Sequence, residues 1–116
     1  MSTGLRTLSS CLHTFGTSTA TTTSLVTGVA NQRVSVYRLI LTIGTPGVTV
    51  TIQDTASSTA LSQPFQLAAN GAVTLDTPIN GDPWWSNTVT AAGNGIQLTQ
   101  SGTTTIAYDL WYLQGP

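Results

Sequence analysis

The sequence has no lysine and no glutamate, and charge of either sign is scarce. Three arginines and four aspartates make up 6% of the 116 residues and leave a net charge of -1. An average soluble domain carries roughly 25% charged residues. Because neutralising phosphates requires Lys and Arg, the composition predicts no nucleic-acid partner. Low charge also weakens repulsion between copies and suits a neutral assembly, so we expect a homo-oligomer, with a trimer preferred.

Cysteine and long apolar runs are nearly missing as well. Cys11 is the single cysteine, which excludes a disulfide within the chain and is compatible with assembly in a reducing cytoplasm. No stretch approaches the ~20 apolar residues of a membrane span, so we expect no membrane partner. The length fits one domain.

Groups that could perform catalysis are equally few. His13 is the only histidine, has no carboxylate near it in sequence, and is interpreted as a surface or interface residue. Asp54, Asp76 and Asp82 lie in or beside turns, where Asp commonly binds its own backbone. No closely spaced carboxylates indicate a calcium site. We therefore predict no enzyme, no metal and no cofactor.

Asp109 differs from the other carboxylates because it lies inside the apolar segment YDLWYL. It either pairs with Arg33 or Arg38 across a sheet or faces water between inward side chains. Both alternatives stay open at this point.

What the chain does contain is the pattern of an all-β protein. β-branched residues alternate with polar ones in short runs bounded by Gly, Pro, Asn and Asp. Seven or eight such runs predict an antiparallel β-sandwich, which we expect to be jelly-roll-like. Three turns, at Gly44 to Gly47, at Asn70-Gly71 and at Ser101-Gly102, predict three hairpins.

The longest run, Arg33 to Ile43, is predicted to be a central strand. Strict alternation would put Val34, Val36, Ile40 and Thr42 on one face with Arg38, and Tyr37, Leu39, Leu41 and Ile43 on the other. Both faces would then be partly buried.

The first 24 residues are rich in Ser and Thr and are interpreted as an extended arm, with residues 25–116 forming the sandwich. Leu5, Leu8, Leu12 and Phe15 are its candidate docking residues. Their spacing of 3, 4 and 3 would also suit one stripe of a short helix, although the Thr and Ser content opposes a helix. Such an arm could add a strand to the sheet edge of a neighbour.

Trp84 and Trp85 are adjacent in a loop-rich segment and are the remaining binding candidates. Adjacent residues of an extended chain point in opposite directions, so we expect one ring in the core and the other at a subunit contact. Stacking of the outer ring on carbohydrate is the alternative.

Three segments together carry a family resemblance: ANQRVSVYRLILT, GVTVTIQDTASSTALSQPFQLAANGAVTL and WWSNTVTAAGNGIQLTQSGTTTIAYDLWYL. They resemble small β-sandwich virion accessory proteins of tailed bacteriophages. In that family a strand that starts with a basic residue precedes a V-T-V-T-like strand, a "TALSGP…LAANGG" segment, an aromatic residue and a "T-A-A-G" stretch. The resemblance covers about three-quarters of the chain and leaves out the arm.

The resemblance implies a non-enzymatic structural protein of the virion, assembled in the host cytoplasm. Its most direct reading is a capsid decoration or cement protein that bridges neighbouring subunits of a major capsid protein. The alternative is a module associated with a tail protein or fibre that recognises host surface glycans. This chain departs from the family in carrying almost no charge, which favours a tightly packed neutral interface.

Overall fold

A computed structural model describes residues 11–55, 59–76 and 82–116 of the chain. Within them nine strands form two antiparallel sheets. The strands are β1 (Leu12–Ser18), β2 (Thr22–Val26), β3 (Arg33–Ile43), β4 (Val48–Asp54), β5 (Phe65–Leu67), β6 (Ala72–Leu75), β7 (Trp85–Ser86), β8 (Ile96–Gln100) and β9 (Ile106–Gly115). The sheet that we call sheet A has the order β1-β9-β3-β6, with β7 also beside β3, and sheet B has the order β2-β8-β4-β5. The predicted all-β sandwich is confirmed, and the jelly-roll topology stays a prediction.

The core lies between the two sheets and is built by alternation along each strand. In β4, for example, Val48, Val50 and Ile52 are buried while Thr49 and Thr51 point outward. Leu98 of β8 and Leu110 of β9 are almost fully enclosed in the same core. Each strand thus removes one apolar face from water, the dominant favourable contribution to folding.

Strand β3 does not follow the strict alternation that its sequence predicts. Its pairing with β9 shifts register between Val36 and Arg38, which leaves Tyr37 as an extra residue. The bulge turns Leu39, Leu41 and Ile43 to the same core face as Val34 and Val36, and all five are buried. The predicted assignment of side chains to the two faces of β3 is therefore wrong. One extra residue in a strand turns every later side chain to the opposite face of the sheet.

The three predicted hairpins are also wrong. At each of these turns the chain passes from one sheet to the other: β3 to β4, β5 to β6, and β8 to β9. Backbone partners come instead from distant strands, β3 pairing with β9 and β4 with β8. Gly, Pro and Asn do produce sharp chain reversals here, but a reversal can equally form a corner between two sheets when both strands have one apolar face to cover.

Two of these corners require backbone that few side chains permit. Asn70 adopts a φ of 61°, in the left-handed region that Asn tolerates. At Gly47 an added Cβ would lie 2.5 Å from the carbonyl oxygen of Leu67. Close approach of two backbones, rather than a paired hairpin, explains the glycine here.

The described part of the predicted N-terminal arm belongs to the sandwich. Strand β1 pairs with β9 at seven successive positions, and β2 pairs with β8. The segment is extended, as its β-branched composition predicts, and Leu12–Ser18 is a strand rather than the helical alternative. Strands β9 and β8 each offer an edge whose backbone groups need partners, which explains why the segment docks on its own sheets. Leu5 and Leu8 lie outside the described residues.

No helix long and apolar enough to cross a membrane occurs in the described ranges.

Candidate interaction surface

The outer face of sheet A brings together side chains that are far apart in sequence. His13 of β1 lies beside Trp111 of β9, and Trp111 lies beside Arg38 of β3. Phe15 is two residues after His13 and therefore shares its face. We call Phe15, His13, Trp111 and Arg38 the aromatic row.

The members of the aromatic row stack on one another. The ring centroids of His13 and Trp111 are 4.3 Å apart with an angle of 17° between the planes, and those of His13 and Phe15 are 5.4 Å apart. On the other side of Trp111, the guanidinium carbon of Arg38 lies 4.8 Å from the ring centroid. Such stacking fixes the rings before any partner arrives and adds a favourable cation–π contact.

Two carboxylates flank the aromatic row. Nε2 of His13 lies 3.0 Å from Oδ1 of Asp109, and Nε of Arg38 lies 3.4 Å from Oδ1 of Asp76. Asp109 faces outward between Tyr108 and Leu110, which pack into or against the core, and its side chain is 43% exposed. The water-facing alternative is therefore confirmed, and the partner of Asp109 on this face is His13 rather than an arginine. The pair of His13 and Asp109 could not be predicted from the sequence, because 96 residues separate the two side chains. They meet through the pairing of β1 with β9.

Nε of Arg38 is enclosed without a hydrogen-bond partner in the described part of the chain. The 3.4 Å approach to Asp76 is therefore an ion pair without hydrogen-bond geometry. Its contribution to stability is small, because the Asp76 side chain is largely open to water.

The two adjacent tryptophans lie on opposite sides of sheet A. Trp85 pairs with Val36, packs against the core, and has its ring centroid 6.5 Å from that of Phe65. Trp84 is 43% exposed, and its indole Nε1 donates a hydrogen bond to the carbonyl oxygen of Asp76. Trp84 therefore extends the outer face beyond Arg38, while its role at a subunit contact stays a prediction.

A buried asparagine holds the tryptophan segment in place. Oδ1 of Asn87 accepts a hydrogen bond from the backbone N–H of Val34 at 2.7 Å. Its Nδ2 donates to the carbonyl oxygens of Asn94 at 2.9 Å and of Gly95 at 3.2 Å. Val34 belongs to sheet A, and residues 94 and 95 lead into β8 of sheet B. The side chain of Asn87 therefore links the two sheets by hydrogen bonds. Sequence reading gave Asn87 no role, because an Asn before a Thr in a loop-rich segment also suits a solvated turn.

Asp54 has a buried hydrogen-bond partner in another loop, and its predicted bond to its own turn backbone stays a prediction. Asp54 lies at the end of β4, is 5% exposed, and accepts a hydrogen bond from Nδ2 of Asn94 at 3.2 Å. It therefore extends the network around Asn87.

The remaining candidates from the arm, Leu12 and Phe15, both lie on β1. They are 53% and 71% exposed and point to opposite faces of the strand, since they pair with Tyr112 and Asp109 of β9. They do not form the single stripe that the helical spacing would give.

No group of three or more His, Cys, Asp or Glu side chains in the described ranges is arranged to hold a metal ion.

A groove of about 330 Å³ adjoins the outer face and is lined by Arg33, Tyr37 and Leu113, among others. The outer face of sheet A thus presents aromatic planes, one paired arginine and two carboxylates.

No protein-family model matches the chain, and no curated protein matches it. Among solved structures the chain is similar to a chain of the cyanophage Pam1 capsid asymmetric unit. The TM-score is 0.52 at 15% sequence identity, and the match covers 89% of this chain and 84% of that one. At this identity the likeness establishes a shared fold.

Proposed function

We propose that this protein is a non-enzymatic structural component of a bacteriophage virion, and specifically a capsid decoration or cement protein. The observation that carries the proposal is the likeness over 89% of the chain to a chain of a cyanophage capsid asymmetric unit. The low charge of the sequence supports it, because a subunit that packs into a neutral shell has little need of repulsive surface charge.

The proposed action is to bridge neighbouring subunits of the major capsid protein. A protein that binds the assembled shell, and not its separated subunits, stabilises the shell by mass action. No catalytic group is needed for this action, only a surface that stays folded and fits the shell.

The outer face of sheet A is the surface that we assign to the shell. Aromatic residues and arginine contribute most strongly to protein interfaces, and Trp111, Trp84 and Arg38 are all present here. The stacking of His13 on Trp111 holds the rings in fixed orientations, so little conformational entropy is lost on binding.

The test is to strip the protein from particles, add it back, and measure both binding and the resistance of the particles to heat and low salt. Wild-type protein should rebind in fixed stoichiometry and restore resistance. Trp111→Ala should lose about tenfold or more in affinity, whereas Thr51→Ala on sheet B should bind normally. Particles with unchanged stability after complete removal of the protein would contradict the bridging role.

A second function is favoured by Trp84 alone. Its exposed ring lies beside the carboxylate-bearing residue Asp76, a combination that suits stacking on a sugar with hydrogen bonds to its hydroxyls. In that case the protein is a tail- or fibre-associated module that binds host surface glycans. Trp84→Ala would then abolish binding to host cells and leave attachment to the virus particle untouched, whereas Trp111→Ala is expected to weaken attachment under the first proposal.

A further inference from the structure

The edges of the two sheets are not equally protected against pairing with another chain. In the described residues, sheet A is bounded by β1 on one side and by β6 and β7 on the other, and sheet B by β2 and β5. An exposed strand edge is a template for another strand unless it is short, kinked, charged or interrupted by Pro.

Three edges carry such a feature. Strand β5 has three residues and follows Pro64, and β6 has four residues and is followed by Asp76. The pairing of β2 with β8 is irregular between Ser24 and Val26. Each of these edges therefore offers a partner only a short or distorted ladder.

Strand β1 has none of these features. It is seven residues long, its register with β9 is unbroken from Leu12 to Ser18, and it contains no Pro, Asp, Glu, Lys or Arg. The described residues include four exposed large apolar side chains, and two of them, Leu12 and Phe15, lie on this strand. Because they point to opposite faces, a strand laid beside β1 would reach both.

We propose that β1 is a self-pairing edge: it pairs antiparallel with β1 of a second copy about a twofold axis, joining two copies of sheet A into one continuous sheet. Full overlap of its seven residues places the axis at the midpoint, Phe15, which is 71% exposed. In that register Phe15 lies opposite Phe15 of the second copy, and aromatic pairs of this kind stabilise sheets.

The other positions of this register are compatible with close pairing. His13 lies opposite Thr17 of the second copy, so the two histidines do not face each other, and Leu12 lies opposite Ser18. Opposed Cα atoms would be about 4.5 to 5.5 Å apart, and the shared ladder would be roughly 24 Å long. Such an isologous contact closes on itself and gives a dimer rather than a fibre.

This inference concerns the contact between copies and does not depend on the proposed function, since the dimer is expected in solution without particles. Sedimentation of the full chain should give a dimer that dissociates on dilution. Phe15→Lys, which places two like charges on the axis, should raise the dimer dissociation constant about tenfold or more. Thr74→Lys is the matched control, because Thr74 is also exposed on the outer face of sheet A but lies on the opposite edge strand, β6.

Disulfide trapping tests the register itself. In a Cys11→Ser background, Phe15→Cys should form a covalent dimer under mild oxidation, because residue 15 meets its own copy at the axis. Thr74→Cys in the same background should remain monomeric on a non-reducing gel. A wild-type chain that stays monomeric at millimolar concentration would overturn the proposal, and so would an oligomer that Phe15→Lys and Thr74→Lys weaken equally. Because Phe15 also belongs to the aromatic row, particle rebinding is tested separately with Trp111→Ala, which reports on the proposed function without altering β1.

Discussion

The two outer faces of this sandwich are made by the same alternation of residues but have different chemistry. Sheet A presents stacked aromatic rings, an arginine and carboxylates. Among the described strand residues, those that sheet B turns outward are all neutral and polar: Thr22, Ser24, Thr49, Thr51, Gln53, Gln66, Gln97 and Thr99. Inward positions specify the fold, whereas the outward residues give the two faces their different chemistry.

Some polar groups on the neutral face of sheet B find partners within the sheet. Nε2 of Gln97 donates to Oε1 of Gln53 at 2.8 Å, and the hydroxyl of Thr99 lies 3.5 Å from the carbonyl oxygen of Thr51. Thr and Gln cover the strands without aromatic area, so a partner would gain little by excluding water there.

The comparison depends on the two sheets staying face to face, and Asn87→Ala should break that arrangement most severely. The substitution removes three buried hydrogen bonds and takes the side-chain partner from the N–H of Val34 and from the carbonyl of Asn94, while the carbonyl of Gly95 still accepts from the N–H of Thr55 at 3.1 Å. We expect a loss of about 3 kcal/mol in the free energy of unfolding, measured by denaturant titration. Thr88→Ala, at the exposed neighbouring position, is the control and should change little. A loss below about 1 kcal/mol would mean that water replaces the Asn87 side chain.

The second prediction compares the inner and outer tryptophans of the same segment. Trp85→Ala removes a ring packed against the core and should cost about 2 to 3 kcal/mol, less than a fully buried Trp because Trp85 is only half-buried. Trp84→Ala removes one hydrogen bond to Asp76 and an exposed ring, and should cost about 1 kcal/mol. Equal losses in thermal unfolding of the two variants would contradict their placement on opposite sides of sheet A.

Features that depend on neighbouring residues in the sequence can be predicted for this protein, whereas features that depend on contacts between distant residues cannot. The alternation of β4 and the all-β class follow from period-two patterning, which is local and survives in any sandwich. The bulge at Tyr37 and the sheet-to-sheet corners do not, because a strand's hydrogen-bonded partner is selected by packing of the whole core. The aromatic row was missed for the same reason: His13, Trp111 and Arg38 meet only after β1, β9 and β3 have paired.

The third prediction concerns the guanidinium of Arg38, which stacks on Trp111 on the outer face of sheet A. Arg38→Met keeps much of the apolar stem but loses the guanidinium over Trp111 and the ion pair with Asp76. The expected loss is about 1 kcal/mol or less in unfolding free energy, and the part due to Asp76 should shrink at high salt. Measuring the unfolding of wild type and Arg38→Met at low and high salt separates the two contributions. A large loss that does not depend on salt would assign the stability of this position to packing alone.

The smallest effect is expected on the neutral face of sheet B. Gln97→Ala removes the side-chain hydrogen bond to Gln53 on a half-buried, water-accessible surface, where water can replace the lost partner. We expect a change within about 0.5 kcal/mol in unfolding free energy and normal rebinding to stripped particles. Trp111→Ala, measured in the same assay, supplies the contrast, since it should reduce rebinding. If Gln97→Ala instead weakened rebinding while leaving stability intact, the contact surface would include the uncharged Thr and Gln face. Aromatic content would then not be the property that distinguishes the two faces.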